Sequence, residues 1–598
     1  MAEKMFLMGN EAIARGAVEA GVNVAAGYPG TPSSEVLTTL AKVATEYGFY
    51  AEWSVNEKVA LEVAVGASYT GARALVSMKQ VGLNVAADPL MSLAYIGVKG
   101  GLVLVVADDP GPHSSQTEQD TRKFASFAKL PVFDPSTPQE AKDMVKEAFE
   151  LSEKYSLPVI LRPTTRTCHA CQDVEVEEIV KFDRACRFEK DPKWVIMPGL
   201  SYKKHIELNK MQPLIADDFN KSKFNILNLI GDKGIIACGV SYNYVLEACQ
   251  ELNLEPSLLK IGTPYPLPPQ PVLELLNHCQ SVLVIEEQEP VVEDQAIMLA
   301  WQNGLVTRIS GKNDHLVPRE GELNVDKVKA LLIRYFNLTE SMPIANVNTP
   351  SLPTRAPVLC AGCPHRASFL AFKEIGRAQD AVFCGDIGCY TLGTAAPLDM
   401  LDTCLCMGAG ISQAAGMSRV EPGRKHVAFI GDSTFFHSGI AGLTNAVYNN
   451  ANITIVILDN STTAMTGHQP HPGINRTAMG TSNKVIDIAE VVRACGVELI
   501  KIVDPYNFTE MKQAAAEAME FKGPSVVLAK RECVAIVKTP KKYVVDLELC
   551  SGCMKCIKKL GCPAIYMDHE AIMISPQCTG CGLCAQVCPQ KAIQEVLK

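Results

Sequence analysis

Short runs of aliphatic and β-branched residues recur along the chain, each followed by a polar turn and a stretch with helical spacing. Residues 22–26, 102–107, 234–238, 282–285 and 453–458 are the clearest of these runs. Unbroken apolar runs of this length predict strands buried on both faces, and their alternation with helices predicts parallel sheets. The chain therefore reads as α/β and multidomain, with doubly wound parallel sheets. The stretch 56–67 is rich in small and apolar residues and predicts a closely packed helix, with Glu57 near its buried start and Glu62 the better placed for solvent or an ion pair. A buried carboxylate is expensive unless it is paired or used. After the strand at 22–26, Thr31 is an N-cap candidate, with Pro32 in the first helical position and Glu35 in the first turn. Free N–H groups at such a helix start suit an anion, for example a substrate carboxylate, and an ordinary capped helix explains the residues as well.

The strand at 102–107 empties into a polar loop, 108–122, where function concentrates. His113 and Arg122 are candidates to bind a carboxylate there, and N-capping by Ser114 and Ser115 is the alternative. The composition then divides the chain. Residues 1–185 form a first α/β domain, 186–230 a linker region containing Pro192, Pro198 and Pro213, and 231–342 a smaller α/β domain. A Pro-rich linker at 343–357 precedes a domain at 358–537, and Lys538, Pro540, Lys541 and Lys542 read as a solvated link into a tail at 543–598. The glycines at 234 and 239 are better explained by a strand-to-helix turn than by a nucleotide loop. Cys168 and Cys171 form a lone pair and are read as plain thiols.

Charge narrows the partners: 56 basic and 65 acidic residues leave a net charge of -9 without long basic runs, which argues against nucleic acid and anionic membranes. No window has the apolar length of a membrane span and the first residues carry no secretory pattern, so a cytoplasmic protein is expected. Cysteine changes the picture more. Of 22 cysteines, eight fall in the last 49 residues. Cys550, Cys553, Cys556 and Cys562-Pro563, then Cys578, Cys581, Cys584 and Cys588-Pro589, repeat the spacing of a two-cluster ferredoxin, in which each run's fourth Cys serves the other cluster. One [4Fe–4S] cluster is thus expected on Cys550, Cys553, Cys556 and Cys588, the other on Cys578, Cys581, Cys584 and Cys562. A zinc ribbon would need only two cysteines per run. Five residues separate Cys556 from Cys562, against three in the second run, so an inserted loop borders one cluster.

In the domain at 358–537, Gly431-Asp432-Ser433 and, after the run at 453–458, Asp459-Asn460 place an acid and an amide at the ends of two strands. Neighbouring parallel strands would bring these oxygens to the edge where α/β sheets bind ligands, and Mg²⁺ prefers such oxygens. A plain strand-to-loop turn is the other reading of Gly-Asp-Ser. The spacing resembles the diphosphate signature of thiamine diphosphate enzymes. Cys360, Cys363, Cys389 and Cys533 are too scattered to form a motif and could equally be small buried hydrophobes. His365 and His437 are candidates for proton handling or substrate contact, or structural histidines.

Taken together, the stretches Tyr28-Pro29-Gly30-Thr31-Pro32-Ser33-Ser34-Glu35, Asn56-Glu57-Lys58, Lys79-Gln80-Val81-Gly82-Leu83-Asn84 and Cys360-Ala361-Gly362-Cys363-Pro364-His365-Arg366, with the Asp and Asn pair and the double ferredoxin tail, resemble the large subunits of the indolepyruvate:ferredoxin oxidoreductases. These belong to the thiamine-dependent 2-oxo acid:ferredoxin oxidoreductase superfamily, and the resemblance spans the chain. It implies a pyrimidine-binding domain at 1–185, a transketolase C-terminal-like domain at 231–342 and a thiamine diphosphate and Mg²⁺ domain at 358–537. It implies Glu57 as the catalytic residue that drives the cofactor's aminopyrimidine to its imino form, and Thr31, His365 and His437 stand beside it as further catalytic candidates. It implies Gly30, Glu57, Gly385, Asp386, Gly408, Gly431, Asp432, Ser433, Asn460 and Thr462 as cofactor contacts. A third [4Fe–4S] cluster near the thiamine is implied on Cys360, Cys363, Cys389 and Cys533, with Cys384, Cys404 and Cys406 as fallback ligands. The implied reaction is oxidative decarboxylation of aryl pyruvates with coenzyme A and ferredoxin, in an assembly of two large and two smaller beta subunits. A non-oxidative thiamine decarboxylase or carboligase, and an electron-transfer subunit without a site of its own, are the rival readings.

Overall fold

The computed structural model describes residues 3–179, 186–338, 352, 356–482 and 484–597. It divides into two compact units, Met1–Asn346 and Val347–Lys598. In the first, a six-stranded sheet runs in the order Tyr50–Trp53, Val24–Gly27, Ala74–Lys79, Leu102–Ala107, Val159–Leu161 and Val132–Phe133, all parallel. A second sheet has five strands, with Lys233–Cys238 between Ser257–Ile261 and Ser281–Ile285. Both faces of this sheet are covered: Ile236 and Val284 belong to one buried cluster, Ile235 and Leu283 to another. That is the doubly wound arrangement the unbroken apolar runs call for.

The stretch expected as a linker at 186–230 is largely structured. Pro198–Phe219 is a 22-residue helix that keeps Pro213 in its interior, and Ile226–Asn228 adds an antiparallel edge strand to the five-stranded sheet. Phe219 packs edge-on to Phe133 with ring centroids 5.5 Å apart, so tertiary burial overrides the proline signal. The second expected linker, 343–357, lies outside the described residues except for 352, 356 and 357.

In the second unit the parallel order is Thr403–Cys404, Val382–Gly385, His426–Gly431, Thr454–Asp459, Ser525–Lys530 and Leu499–Val503. Successive residues of Thr454–Asp459 point to opposite faces: Val456 and Leu458 enter one core, Ile455 and Ile457 the other. Burial of each such side chain stabilises the fold by about 1.5–3 kcal/mol. The first of these cores continues without a break into Leu560, Ile565, Ile572, Leu583 and Ile593 of the cysteine-rich tail. Lys541 and Lys542, read as part of a solvated link, open the strand Lys541–Val545, which pairs antiparallel with Ile593–Leu597. No helix among the described residues is long and apolar enough to cross a membrane.

Candidate active site and cysteine cages

The register of the second unit's sheet builds the site. His426–Gly431 and Thr454–Asp459 pair with Gly431 opposite Leu458, so Asp432 and the Asp459-Asn460 pair emerge side by side at the carboxyl edge. The backbone N–H of Asn460 donates to Asp432 Oδ2 at 3.1 Å, and that of Ser433 to Asp432 Oδ1 at 2.7 Å. Burial alone would raise the Asp432 carboxyl, yet His471, whose Nε2 lies 3.1 Å from Oδ2, and the N–H donors hold it below its usual range. His471 Nδ1 accepts from Gly473 N–H at 3.1 Å, which leaves the ring proton on Nε2, facing Asp432. Burial, and then the charge on Asp432, push Asp459 up to about 6. The Asp432 carboxylate and the Asn460 amide oxygen are hard oxygen donors of the kind a divalent cation takes, with the Asp459 carboxylate close by.

His365 is buried and its Nε2 is 3.2 Å from Asn460 Nδ2. Burial lowers its pKa to about 4, so the ring is neutral and accepts from the amide. His365 thereby fixes which way the Asn460 side chain points. Thr462 is buried behind Asn460 and its N–H donates to Asn460 Oδ1 at 3.2 Å, while Ser433 Oγ meets Thr463 Oγ1 at 2.7 Å. His437 lies elsewhere on this segment, in a one-turn π-helix, Phe435–Gly439, with Nδ1 3.1 Å from Ser438 Oγ. Such turns recur at functional sites.

Gly385, Asp386 and Gly408 form a supporting group. Asp386 is fully buried, takes a hydrogen bond from the Tyr390 hydroxyl and another, at 2.9 Å, from the N–H of Gly408. Burial still pushes it up to about 8. The Gly408 N–H is thus bonded to Asp386. Gly408 itself has φ +80°, and a Cβ there would sit 2.2 Å from Ser438 Oγ. Gly431 is required for a similar reason, since a Cβ would lie 2.7 Å from the Tyr390 ring.

Cys533 follows the strand beside Thr454–Asp459, and its N–H donates to the Asn460 carbonyl at 3.0 Å. The oxygen-rich edge and this cysteine are therefore bonded neighbours. Burial, reinforced by the thiols of Cys360 and Cys389, pushes Cys363 up to about 12. Cys389 rises to about 11 through burial and then the charges of Cys533 and Cys360, and Cys533 is raised by burial with Cys360 adding to it. Each of these cysteines feels the charge of others in the set, so the four share one neighbourhood, and they stay neutral thiols there unless a bound cation or cluster offsets the charge of their thiolates. The fallback residues sit apart: Cys384 packs on the Met417 sulfur at 3.8 Å, and Cys404 neighbours Cys406 and Asp386.

In the tail, one cavity is lined by Cys562, Cys578, Cys581 and Cys584, and a second by Cys550, Cys553, Cys556 and Cys588. Each cavity takes three cysteines from one run and the fourth from the other, the crossed pattern of two-cluster ferredoxins. Among the described residues, no three His, Cys, Asp or Glu side chains converge on a single-ion site. Cys363 also lines the first of these cavities.

The first unit is described by itself. Glu57 opens the helix Glu57–Tyr69, whose N-cap Asn56 accepts the Val59 N–H at 2.9 Å. Glu57 is buried and packs over Gly82, where a Cβ would come within 2.5 Å of its carboxylate, while Glu62 pairs with Lys58 at the surface. The helix expected to start at Pro32 instead begins at Ser34, with Ser33 as its N-cap. Gly30 N–H donates to Ser34 Oγ at 2.9 Å and the Gly30 carbonyl accepts from Ser33, so the turn is closed on itself, and Thr31 presents its carbonyl to Ser114. Lys79 lies against Gly30 and donates to the Ser114 carbonyl at 3.1 Å. Arg122 is not at a substrate edge. It is fully buried, clamped by Asp120 at 2.7 Å and Glu286 at 2.8 Å, and joins the two sheets of this unit. His113 is half-exposed, 3.4 Å from Glu322.

His471, Tyr390 and Arg366 were not singled out from sequence as site residues. His471 stands in a Gly- and Pro-rich loop without a periodic signal. An arginine inside the apolar helix Pro364–Gly376 was the available clue for Arg366.

Fold and site define a thiamine diphosphate enzyme fused to a dicluster ferredoxin domain, and family comparisons agree. Residues 386–529 match the thiamine pyrophosphate enzyme C-terminal TPP-binding domain, 15–218 the thiamine diphosphate-binding domain of pyruvate flavodoxin/ferredoxin oxidoreductases, and 542–590 the 4Fe-4S dicluster domain. Indolepyruvate oxidoreductase subunit IorA of Archaeoglobus fulgidus is 44% identical over 99% of this chain and 97% of its own, and that of Pyrococcus horikoshii 43% identical over the same shares. The chain belongs to the IorA family of indolepyruvate oxidoreductase subunits, within the 2-oxo acid:ferredoxin oxidoreductases. A solved 2-oxoglutarate:ferredoxin oxidoreductase from Magnetococcus marinus aligns at 16% identity, with a TM-score of 0.45, over 56% of this chain and 65% of that one.

Proposed function

We propose that this chain is the catalytic large subunit of an enzyme that converts aryl pyruvates (indolepyruvate, phenylpyruvate and hydroxyphenylpyruvate) to arylacetyl-coenzyme A and CO₂ while reducing ferredoxin. The observation that supports this reading is the bond between Cys533 N–H and the Asn460 carbonyl, which sets one of the proposed first-cage cysteines beside the oxygen-rich edge. A non-oxidative decarboxylase has no use for that adjacency.

In this reading Asp432 and Asn460 would hold Mg²⁺, which would neutralise the cofactor diphosphate, and His365 fixes the orientation of the Asn460 amide. Bound thiamine diphosphate supplies the nucleophilic carbon and the electron sink for loss of CO₂. Glu57 holds a proton at the aminopyrimidine ring. Replacing the 2-oxo acid's carboxylate with the sulfur of the coenzyme A thiol releases CO₂, the thiol's proton and two electrons. Three cysteine cages, Cys360, Cys363, Cys389 and Cys533 first and the two tail sets after it, give those electrons a route out one at a time. A smaller partner subunit completes a two-plus-two assembly in the cytoplasm.

The test is an anaerobic assay of the purified two-subunit complex with indolepyruvate, coenzyme A and a viologen dye. Dye reduction is expected only when thiamine diphosphate, Mg²⁺ and coenzyme A are all present. Release of the aryl acetaldehyde without dye reduction, or dye reduction indifferent to thiamine diphosphate, would overturn the reading.

A further inference from the structure

Arg366 is 3% exposed, yet among the described residues no carboxylate pairs with it. Its guanidinium is bonded only to backbone carbonyls: those of Leu560 and, at 3.0 Å, Gly561 through one nitrogen, and Leu359 at 2.7 Å and Cys360 at 3.4 Å through the other. Its Nε finds no acceptor among the described residues. An unpaired buried cation is one of the costliest groups a fold can hold, and carbonyl dipoles alone compensate it poorly.

The surroundings supply the missing negative charge. Arg366 stands three residues after Cys363 and bonds to the Cys360 carbonyl, so it borders the first cage. It also lines the cavity formed by Cys562, Cys578, Cys581 and Cys584. Its charge pulls the Cys363 and Cys581 thiols down against the burial that raises both. The five-residue segment between Cys556 and Cys562, two residues longer than its counterpart in the second run, belongs to the same arrangement. It forms most of the helix Lys555–Leu560 and ends at Gly561, φ +56°, where a Cβ would strike Pro397 at 2.2 Å. Leu560 and Gly561 are the two residues whose carbonyls Arg366 grips.

We propose that Arg366 is a positioning residue for electron transfer: its permanent charge lies between the first cysteine cage and the tail cage of Cys562, Cys578, Cys581 and Cys584, stabilising the reduced form of both centres. This rests on the functional reading above. A four-thiolate [4Fe–4S] centre is an anion and gains a further negative charge when one electron arrives, so a fixed cation favours the reduced state. One electron moves from the first centre to the second, no bond is broken, and no proton moves, because guanidinium does not titrate in a protein. The cage of Cys550, Cys553, Cys556 and Cys588 has no such neighbour in its lining and serves as an internal reference.

The experiment is a potentiometric EPR titration of the anaerobically purified complex, wild type against Arg366→Gln and Arg366→Lys. Arg366→Gln is expected to disfavour reduction of the two flanking centres by about tenfold, about 59 mV for a one-electron couple, with the reference centre shifted less and Arg366→Lys restoring most of the change. Full iron content with unshifted potentials, or an equal shift at all centres, would overturn the proposal. Should Arg366→Gln lose iron, wild-type protein labelled with ¹⁵N-guanidino arginine decides: pulsed ENDOR is expected to detect a guanidinium nitrogen at the Cys562, Cys578, Cys581 and Cys584 centre, and no coupling there contradicts the assignment. Wild-type protein that reduces its clusters with dithionite but turns over no 2-oxo acid would defeat the functional reading and leave the potentials to judge Arg366 separately.

Discussion

His365 shows how one side chain links the fold to the metal site. It accepts from Asn460 only while neutral, and burial keeps it neutral down to about pH 4. Replacing it with Phe keeps the ring volume and removes the acceptor, so His365→Phe is expected to weaken Mg²⁺ and thiamine diphosphate binding by about 10- to 100-fold, read by calorimetric titration, with iron content unchanged. The same ring has a stability signature. Its folded pKa is depressed from 6.5, so between pH 6.5 and about 4 the unfolded chain binds a proton the folded chain refuses, and stability falls as pH falls through that window. The contribution is about 3 kcal/mol, and His365→Phe should flatten that part of the pH dependence of urea unfolding. The pairing of His365 with Asn460 spans 95 residues and had no signature in the sequence, although both residues stood out individually.

At the scale of elements, the strands that carry chemistry were the most legible part of the chain. The run at 102–107 matches the strand Leu102–Ala107, and the run at 453–458 matches Thr454–Asp459 to within one residue, because a strand buried on both faces has to be continuously apolar. Pro198–Phe219 escaped notice because its hydrophobic face is sparse: Leu208, Ile215 and Phe219 are its only buried residues among those described. The Arg122 and Arg162 clamps are illegible for another reason: the sequence offers Arg122 a substrate carboxylate and does not show that distant Glu286 is its partner, and Arg162 is likewise buried between Asp108 at 2.7 Å and Asp134 at 3.0 Å. Arg162→Met would strand two buried carboxylates, at a cost of about 3–5 kcal/mol. Differential scanning calorimetry should show an earlier transition for this variant, with cluster absorbance retained past it.

For the whole molecule, the tail is part of one core with the sheet that carries Asp432, since Leu560, Leu583 and Ile593 pack in the same cluster as Phe429 and Val456. Sharing a core holds the cysteine cages at fixed separations, which electron transfer requires. Cys533→Ser is therefore expected to lose one cluster's iron while both tail clusters keep their EPR signals; a variant retaining every iron would remove Cys533 from the first cage. The ferredoxin spacing made eight of these cysteines legible, whereas Cys360, Cys363, Cys389 and Cys533 are brought together only by the fold. The proposed function requires electrons to leave the thiamine site through these cages. Its most direct test is a single turnover: wild-type complex mixed anaerobically with indolepyruvate and coenzyme A, without ferredoxin or dye, and frozen for EPR. Reduced-cluster signals that depend on thiamine diphosphate are the expected result. Clusters that stay oxidised while the 2-oxo acid is consumed, yet accept electrons from dithionite, would contradict it.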